Sequence, residues 1–276
     1  IFESLVPGGI QTLQEGRMRY TQLTTQTGGI RDDLMATRFG DTLWLVVNAA
    51  CKHDDFAHIS KALEGRATLE IAERALLALQ GPAACEVLAQ LMPACADLVF
   101  MQAVWTSWPL PNGKQSVDVL VSRCGYTGED GYEISVANED AVALARKLLA
   151  LEEVEPIGLG ARDSLRLEGG LCLYGHDIDT TTTPVEAALN WAIQKVRRND
   201  GERAGGFPGA GVILQQLADG APRKRVGLLP EGRAPMREGV AIFDAAGGGN
   251  EVGTVTSGGF GPTVGGPVAM GYVSDE

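Results

Sequence analysis

One run constrains this chain more than any other: Arg123-Cys-Gly-Tyr-Thr-Gly-Glu-Asp-Gly-Tyr-Glu-Ile-Ser-Val136. Gly125, Gly128 and Gly131 recur at every third position, so the backbone there can turn tightly and approach a ligand closely. From Tyr132 the pattern alternates. Tyr132, Ile134 and Val136 share one face, and Glu133 and Ser135 the other, as a half-buried strand requires. Val117–Arg123 alternates in the same way, so the two runs predict a β-hairpin with an acidic turn. Tyr126 then sits on the turn, while Glu133 is a carboxylate on a rigid strand. Glu129 and Asp130 read as structural acids of the turn. Taken alone, the run reads first as a hairpin with an acidic, solvated turn, and a binding site is the alternative.

A chain of 276 residues, 45% hydrophobic and 21% charged, is folded and long enough for more than one domain. Its longest apolar run, Leu43 to Ala50, is far below the roughly 18 residues of a membrane span, which predicts a soluble protein. A net charge of −12 argues against nucleic acid and anionic membrane as partners. Local basic clusters at 195–198 and 223–225 read as solvated surface or as contacts for an acidic partner. Five cysteines without C-x-x-C spacing read as reduced thiols rather than a disulfide frame. His53, His58 and His176 lack ligand partners at useful spacing, so no metal is expected.

Ile1–Val6 starts inside an amphipathic pattern without an initiator Met, and the chain stops at Glu276 without a closing element; both ends are read as incomplete. Residues 17–23 alternate as a strand, and residues 30–48 read as a hairpin. Asp32 and Asp33 stand near the start of its first strand and Asn48 just past its second, at the same open end. Neighbouring strand residues face opposite ways, so one aspartate points inward and the other toward solvent. Helices are predicted over 51–63, over 73–92 with a break at Gly81-Pro82, over 139–151 and over 159–170. In the last of these, Arg162 and Arg166 lie one turn apart, with Asp163 and Glu168 as available partners. Thr180–Thr183 reads as a turn into a helix from Pro184 through Trp191, and 205–209 as a linker. Beyond Val226, short apolar runs separated by glycine and proline predict an antiparallel barrel or sandwich. Gly247–Gly249 and Thr256–Pro262 read as turns, since neither has the ending or following helix of a phosphate loop.

No dinucleotide fingerprint and no nucleophile elbow is present, so neither nucleotide binding nor covalent catalysis is indicated. What remains is a set of two carboxylates (Asp33, Glu133), an amide (Asn48), an aromatic (Tyr126) and an arginine (Arg162). Such a set suits a planar polar heterocycle bearing an acid: carboxylates accept from an amino-pyrimidine edge, an aromatic stacks, and a guanidinium clamps a carboxylate.

The order of motifs resembles the T protein family of the glycine cleavage system, the tetrahydrofolate-dependent aminomethyltransferases. The likeness is carried by Gly28-Gly-Ile-Arg-Asp-Asp-Leu34, Val47-Asn-Ala-Ala50, Leu79-Gln-Gly-Pro82 and Cys124-Gly-Tyr-Thr-Gly-Glu-Asp-Gly-Tyr-Glu-Ile134. It continues through Gly158–Glu168, Thr182–Glu186, Gly227–Pro235 and Thr256–Pro262, nearly the whole chain. The resemblance implies an α+β, three-lobed fold around a folate channel, with a C-terminal β-barrel-like domain. The lobes are expected at 1–78, 79–204 and 205–276.

It also implies a reaction in which the lipoylated H protein presents an aminomethyl group, tetrahydrofolate accepts the methylene and ammonia leaves. Asp33 is then the catalytic acid beside the folate nitrogens, stabilising a cationic iminium. Glu133 holds the pterin edge, and Asn48, Tyr126 and Arg162 line the pocket. A further folate-contacting arginine of the family falls beyond Glu276. The basic cluster around Arg197 is expected to help dock an acidic H protein. Competing readings keep the fold but change the chemistry: a folate-dependent demethylase, the folate domain of a dimethylglycine- or sarcosine-oxidising enzyme, or a non-catalytic folate binder. No metal, nucleic acid or membrane is implied, and the compartment is cytoplasmic, or mitochondrial in a eukaryote.

Overall fold

A computed structural model describes residues 1–110 and 116–274. Among these residues, three antiparallel sheets with helices packed against them make an α+β fold. The first sheet comprises β1 (Met18–Thr24), β2 (Ile30–Phe39) and β3 (Thr42–Val46), in that order. On β2, Ile30, Asp32, Leu34 and Ala36 are all buried, which is the inward face of a period-two strand. The turn to β3 uses Gly40 at φ 56, and the predicted hairpin over 30–48 is present. Helix α1 (Lys52–Leu63) lays Asp55, Ile59 and Leu63, spaced by four, toward the core formed by Phe2, Leu23, Leu34 and Ala36.

The second sheet runs β4-β7-β6-β5, from β4 (Arg74–Gln80), β5 (Gln102–Pro109), β6 (Ser116–Arg123) and β7 (Gly131–Ala137). Here the predicted helix over 73–92 is corrected: residues 74–80 are a strand, and only α2 (Ala84–Leu91), after Gly81-Pro82, is helical. The run Ala75-Leu-Leu-Ala-Leu79 fits either period, and pairing with β7 decides it. β4 begins ahead of the boundary expected at 78/79 and belongs to this second sheet. Val87, Leu88, Trp108, Tyr132, Ile134 and Leu144 from α2, the strands and α3 (Ala141–Leu148) form the largest core.

Helix α4 (Leu159–Glu168) ends at Gly169 and Gly170, the latter in the left-handed region. The helix predicted from Pro184 to Trp191 is replaced by turns and a short 3-10 segment, Asn190–Ala192. Ala188 has φ 56, which an α-helix cannot contain. Thr183 and Glu186 do form the reciprocal hydrogen bonds of a capping box, at 3.0 and 3.1 Å, but the arginine of the next sheet takes over the chain there. Arg225 donates its backbone N–H to Glu186 O and its Nε to Ala187 O. Residues 205–209 are not a free linker either. Phe207 is buried with Val185, Ile193 and two residues of α5 (Ala210–Asp219), Ile213 and Leu214.

The third sheet runs β8-β11-β10-β9, from β8 (Arg223–Leu228), β9 (Ala241–Phe243), β10 (Glu251–Gly261) and β11 (Gly266–Ser274). Thr256–Gly261, read as a turn, instead continues β10 past a register shift between Val255 and Ser257. Its glycines have little strand preference of their own; pairing with β11 overrides it. Gly247–Gly249 is a turn, as expected. Leu167 of α4 packs on Val268 and Met270 of β11, joining this sheet to the rest.

Candidate active site

β2 separates the two adjacent aspartates. Asp32 is fully buried toward α1, and Asp33 is half-buried on the other face. Asn48, just past β3, reaches both: its Nδ2 donates to Asp32 Oδ1 at 2.8 Å and to Asp33 Oδ1 at 2.7 Å, and its backbone N–H to Asp32 Oδ2 at 3.1 Å. Tyr20 completes the group. Gln22 lies opposite Asp33, so Tyr20, two residues along β1, shares the Asp33 face, and its hydroxyl donates to Asp33 Oδ2 at 2.9 Å. The Tyr20 ring stacks on Trp191 at 5.0 Å. Burial raises the pKa of the Asp33 carboxyl and the Asp32 charge adds to it, more than the Tyr20 and Asn48 hydrogen bonds lower it. Burial and the charge of Asp33 keep the Tyr20 phenol protonated, so it acts as a donor.

The second group is built on the β6–β7 turn. Gln80, at the end of β4, fills its interior: Nε2 donates to Cys124 O and Tyr132 O, both at 3.1 Å, and Oε1 accepts from the Thr127 hydroxyl at 3.2 Å. A Cβ at Gly125 or Gly131 would collide with the Gln80 amide. Two of the three recurring glycines thus make room for an internal side chain rather than for a ligand, while Gly128 supplies a left-handed turn position at φ 77. Tyr126 donates its hydroxyl to Cys172 O, and the Arg162 guanidinium lies 4.6 Å over its ring. The Asp33 charge acts on the Tyr126 phenol, so the two groups share one electrostatic neighbourhood. Burial raises the pKa of Glu133, opposed by the Cys124 thiol, 3.5 Å from Oε2, and by the charge of Arg162. A thiol is a weak donor and leaves most of the accepting capacity of Glu133 unused.

Arg162 and Arg166 divide their tasks differently from the sequence expectation. Arg162 is exposed, whereas Arg166 is buried and bound to Asp163 at 2.7 Å, Asp177 at 2.6 Å and Ser257 at 2.9 Å. Glu168 pairs with neither arginine and accepts the Val264 N–H at 2.6 Å. In the basic cluster at 195–198, Lys195 is exposed, while the two arginines are engaged by the chain itself. Arg197 is buried against Glu3 at 3.2 Å and also donates to Glu3 O, and Arg198 donates to Ile193 O and Asn190 O. Arg197 therefore fastens the N-terminal segment and is not a docking surface. Among the described residues no group of three His, Cys, Asp or Glu could hold a metal ion. No helix there is long and apolar enough to cross a membrane.

The family model of the GCVT N-terminal domain matches residues 1–197, and that of the glycine cleavage T-protein C-terminal barrel domain matches 223–276. The chain belongs to the glycine cleavage T-protein family. It is 42% identical to the mitochondrial aminomethyltransferase of Dictyostelium discoideum, over 99% of this chain and 69% of the relative. With the Homo sapiens mitochondrial aminomethyltransferase the identity is 45%, over 100% and 68%. The crystal structure of glycine cleavage system aminomethyltransferase T from Bartonella henselae superposes with a TM-score of 0.87 at 46% identity, over 99% of this chain and 72% of that one. The third sheet is thus part of the family's barrel domain. The chain is an aminomethyltransferase with tetrahydrofolate as co-substrate, and the demethylase, oxidising-enzyme and non-catalytic readings are not favoured.

Asp33 and Asn48 meet directly, Tyr126 and Arg162 meet directly, and Glu133 is tied to the second pair through the charge of Arg162. Sequence reasoning missed Tyr20 and Gln80. Pairing the strand at 17–23 with the hairpin would have placed Tyr20 on the Asp33 face. Gln80 stands in the Leu79-Gln-Gly-Pro82 motif, but the helix expected over 73–92 hides its place at the end of a strand beside the turn.

Proposed function

We propose that Asp33 is the catalytic carboxylate of this transferase and that Asn48, Tyr126, Glu133 and Arg162 line its folate pocket. The observation that carries the reading is the carboxylate of Asp33, held by Tyr20 on one oxygen and Asn48 on the other at 2.9 and 2.7 Å. A carboxylate fixed in this way needs no reorganisation when positive charge develops beside it, and a partly desolvated site strengthens the attraction. Glu133 has spare lone pairs for the N–H groups of the pterin edge, and Tyr126 with Arg162 offers a flat face and a cation for an acid-bearing ligand. The donor is the aminomethyl group on the lipoyl arm of the H protein. The methylene leaves sulfur and nitrogen for two folate nitrogens, and the two displaced folate hydrogens go to the thiol and to ammonia. Asp33 stabilises the iminium cation between these steps.

The lobes of the enzyme are the three sheets with the helices packed on them. Its compartment is the cytoplasm, or the mitochondrion in a eukaryote, the place that the names of its relatives print. Asp33→Asn is the direct test. Ammonia release from aminomethylated H protein should fall by about 10² or more in kcat with the circular dichroism spectrum and Tm preserved. Unchanged turnover overturns the assignment. Glu133→Gln should act mainly on KM for tetrahydrofolate.

A further inference from the structure

The inward face of β2 and the buried face of α1 each carry one acid where their patterns call for an apolar residue. On β2 the run is Ile30, Asp32, Leu34, Ala36; on α1 it is Asp55, Ile59, Leu63. Asp32 is 0% exposed and Asp55 1%. The two side chains are near enough for each to act on the other, yet neither Asp55 oxygen has a hydrogen-bond partner among the described residues. Two ionised carboxylates can only accept, and a buried acceptor without a donor is costly. A single proton between them removes the conflict, because one acid then donates to the other.

Asp32 already accepts twice from Asn48, so Asp55 is the member free to carry the proton. We propose that Asp55 is a positioning residue: as a carboxylic acid it donates to Asp32, and through Asp32 and Asn48 it holds the Asp33 carboxylate in place. This rests on the reading of Asp33 as the catalytic carboxylate. The chain of contacts is short, since the Asn48 amide nitrogen touches Asp32 and Asp33 at 2.8 and 2.7 Å. The backbone supports it too: Cys51 N–H donates to Asn48 O, and Asp55 N–H to Cys51 O, both at 2.9 Å, so the first turn of α1 hangs directly from Asn48.

The surroundings agree. Burial, the contact with Asp32 and the Asp32 charge raise the pKa of Asp55 well above the usual carboxylate range, with a smaller push from Asp54; Arg31 on β2 opposes them. The Cys51 thiol, pushed up to about 12 by burial and by Asp32, stays protonated beside the same carboxylate. Tyr174, from the segment after α4, faces the cluster with a phenol that burial and these acids also push up to about 12. Of the groups facing Asp55, Arg31 is the cation that favours its ionised form, and it does not win.

Asp55→Asn keeps the shape and a permanent N–H donor, and Asp55→Leu fills the site without one. With aminomethylated H protein and tetrahydrofolate, Asp55→Leu should lose about 10- to 100-fold in kcat, with a smaller change in KM. Asp55→Asn should retain a markedly larger share of kcat, and its rate should not fall on the alkaline side where the parent enzyme loses the Asp55 proton. Carbon-13 titration of the aspartate carboxyls reads the proton without any assay. One carboxyl should stay protonated at neutral pH, vanish in Asp55→Asn, and shift the Asn48 side-chain amide resonance as it titrates. If Asp55 titrates near the ordinary value of about 4, or if both variants share the parent pH profile, the proposal is overturned. These titrations remain readable if Asp33→Asn proves fully active, so the two readings fail separately; they also decide if Asp55→Leu does not fold.

Discussion

Two buried acidic places in the first part of the chain have opposite chemistry. Glu3 is met by Arg197 at 3.2 Å, Arg203 at 2.7 Å and the Gln11 N–H at 2.7 Å; Asp55 is met by another acid. Burial alone would raise the pKa of both. For Glu3 the Arg203 hydrogen bond, the Gln11 N–H and the two guanidinium charges outweigh burial and lower it. For Asp55 the neighbour adds to burial. The identity of the partner, and not the degree of burial, therefore decides whether an acid serves as a charged fastener or as a proton-bearing donor. The linkage follows with opposite signs. Glu3 contributes stability that is present above its unfolded value and lost as pH falls through its lowered folded value. Asp55 holds a proton that the unfolded chain releases, so its contribution is best in acid and declines as pH rises from the unfolded value toward the raised folded one.

The largest expected effect breaks the Glu3 side. Glu3→Ala leaves Arg197 buried without its partner and should cost about 3–5 kcal/mol in urea unfolding; a cost below about 1 kcal/mol would show that the fastener is not one. Next, the comparison sharpens in the pH dependence of stability. Between about pH 5 and 7 the parent chain should lose up to about 1.4 kcal/mol per pH unit relative to Asp55→Asn, and parallel curves would contradict it. At the small end stands the exposed pair His176–Glu238, at 2.9 Å with both side chains about half or more in solvent. His176→Ala should change stability by less than about 1 kcal/mol, and a larger change would mean that burial matters less than argued.

Both hairpins were legible in the sequence, because alternation and turn residues are local signals. From the ends of the first hairpin alone, Asn48 could be placed beside the two aspartates. Where two periods fit the same letters, reading failed: Ala75-Leu-Leu-Ala-Leu79 suits a helix until β7 offers a ladder. Left-handed Ala188 has no local signature, so a helix was expected through it. Arg197 looked like surface because its partner Glu3 is distant in sequence. Asp55 was hidden for a subtler reason. Beside Asp54 it reads as an acid in a first helical turn, which the helix dipole favours, and only the burial of Ile59 and Leu63 on its own face reveals a core position.

The Gln80 amide enclosed by the β6–β7 turn means that three separated positions can change only as a set. A side chain added at Gly125 or Gly131 is blocked while Gln80 stays, and shortening Gln80 strips donors from Cys124 O and Tyr132 O. For anyone redesigning folate selectivity, randomising the turn by itself would return the starting glycines. Useful diversity around Tyr126 and Glu133 begins with a library that varies position 80 in the same clone.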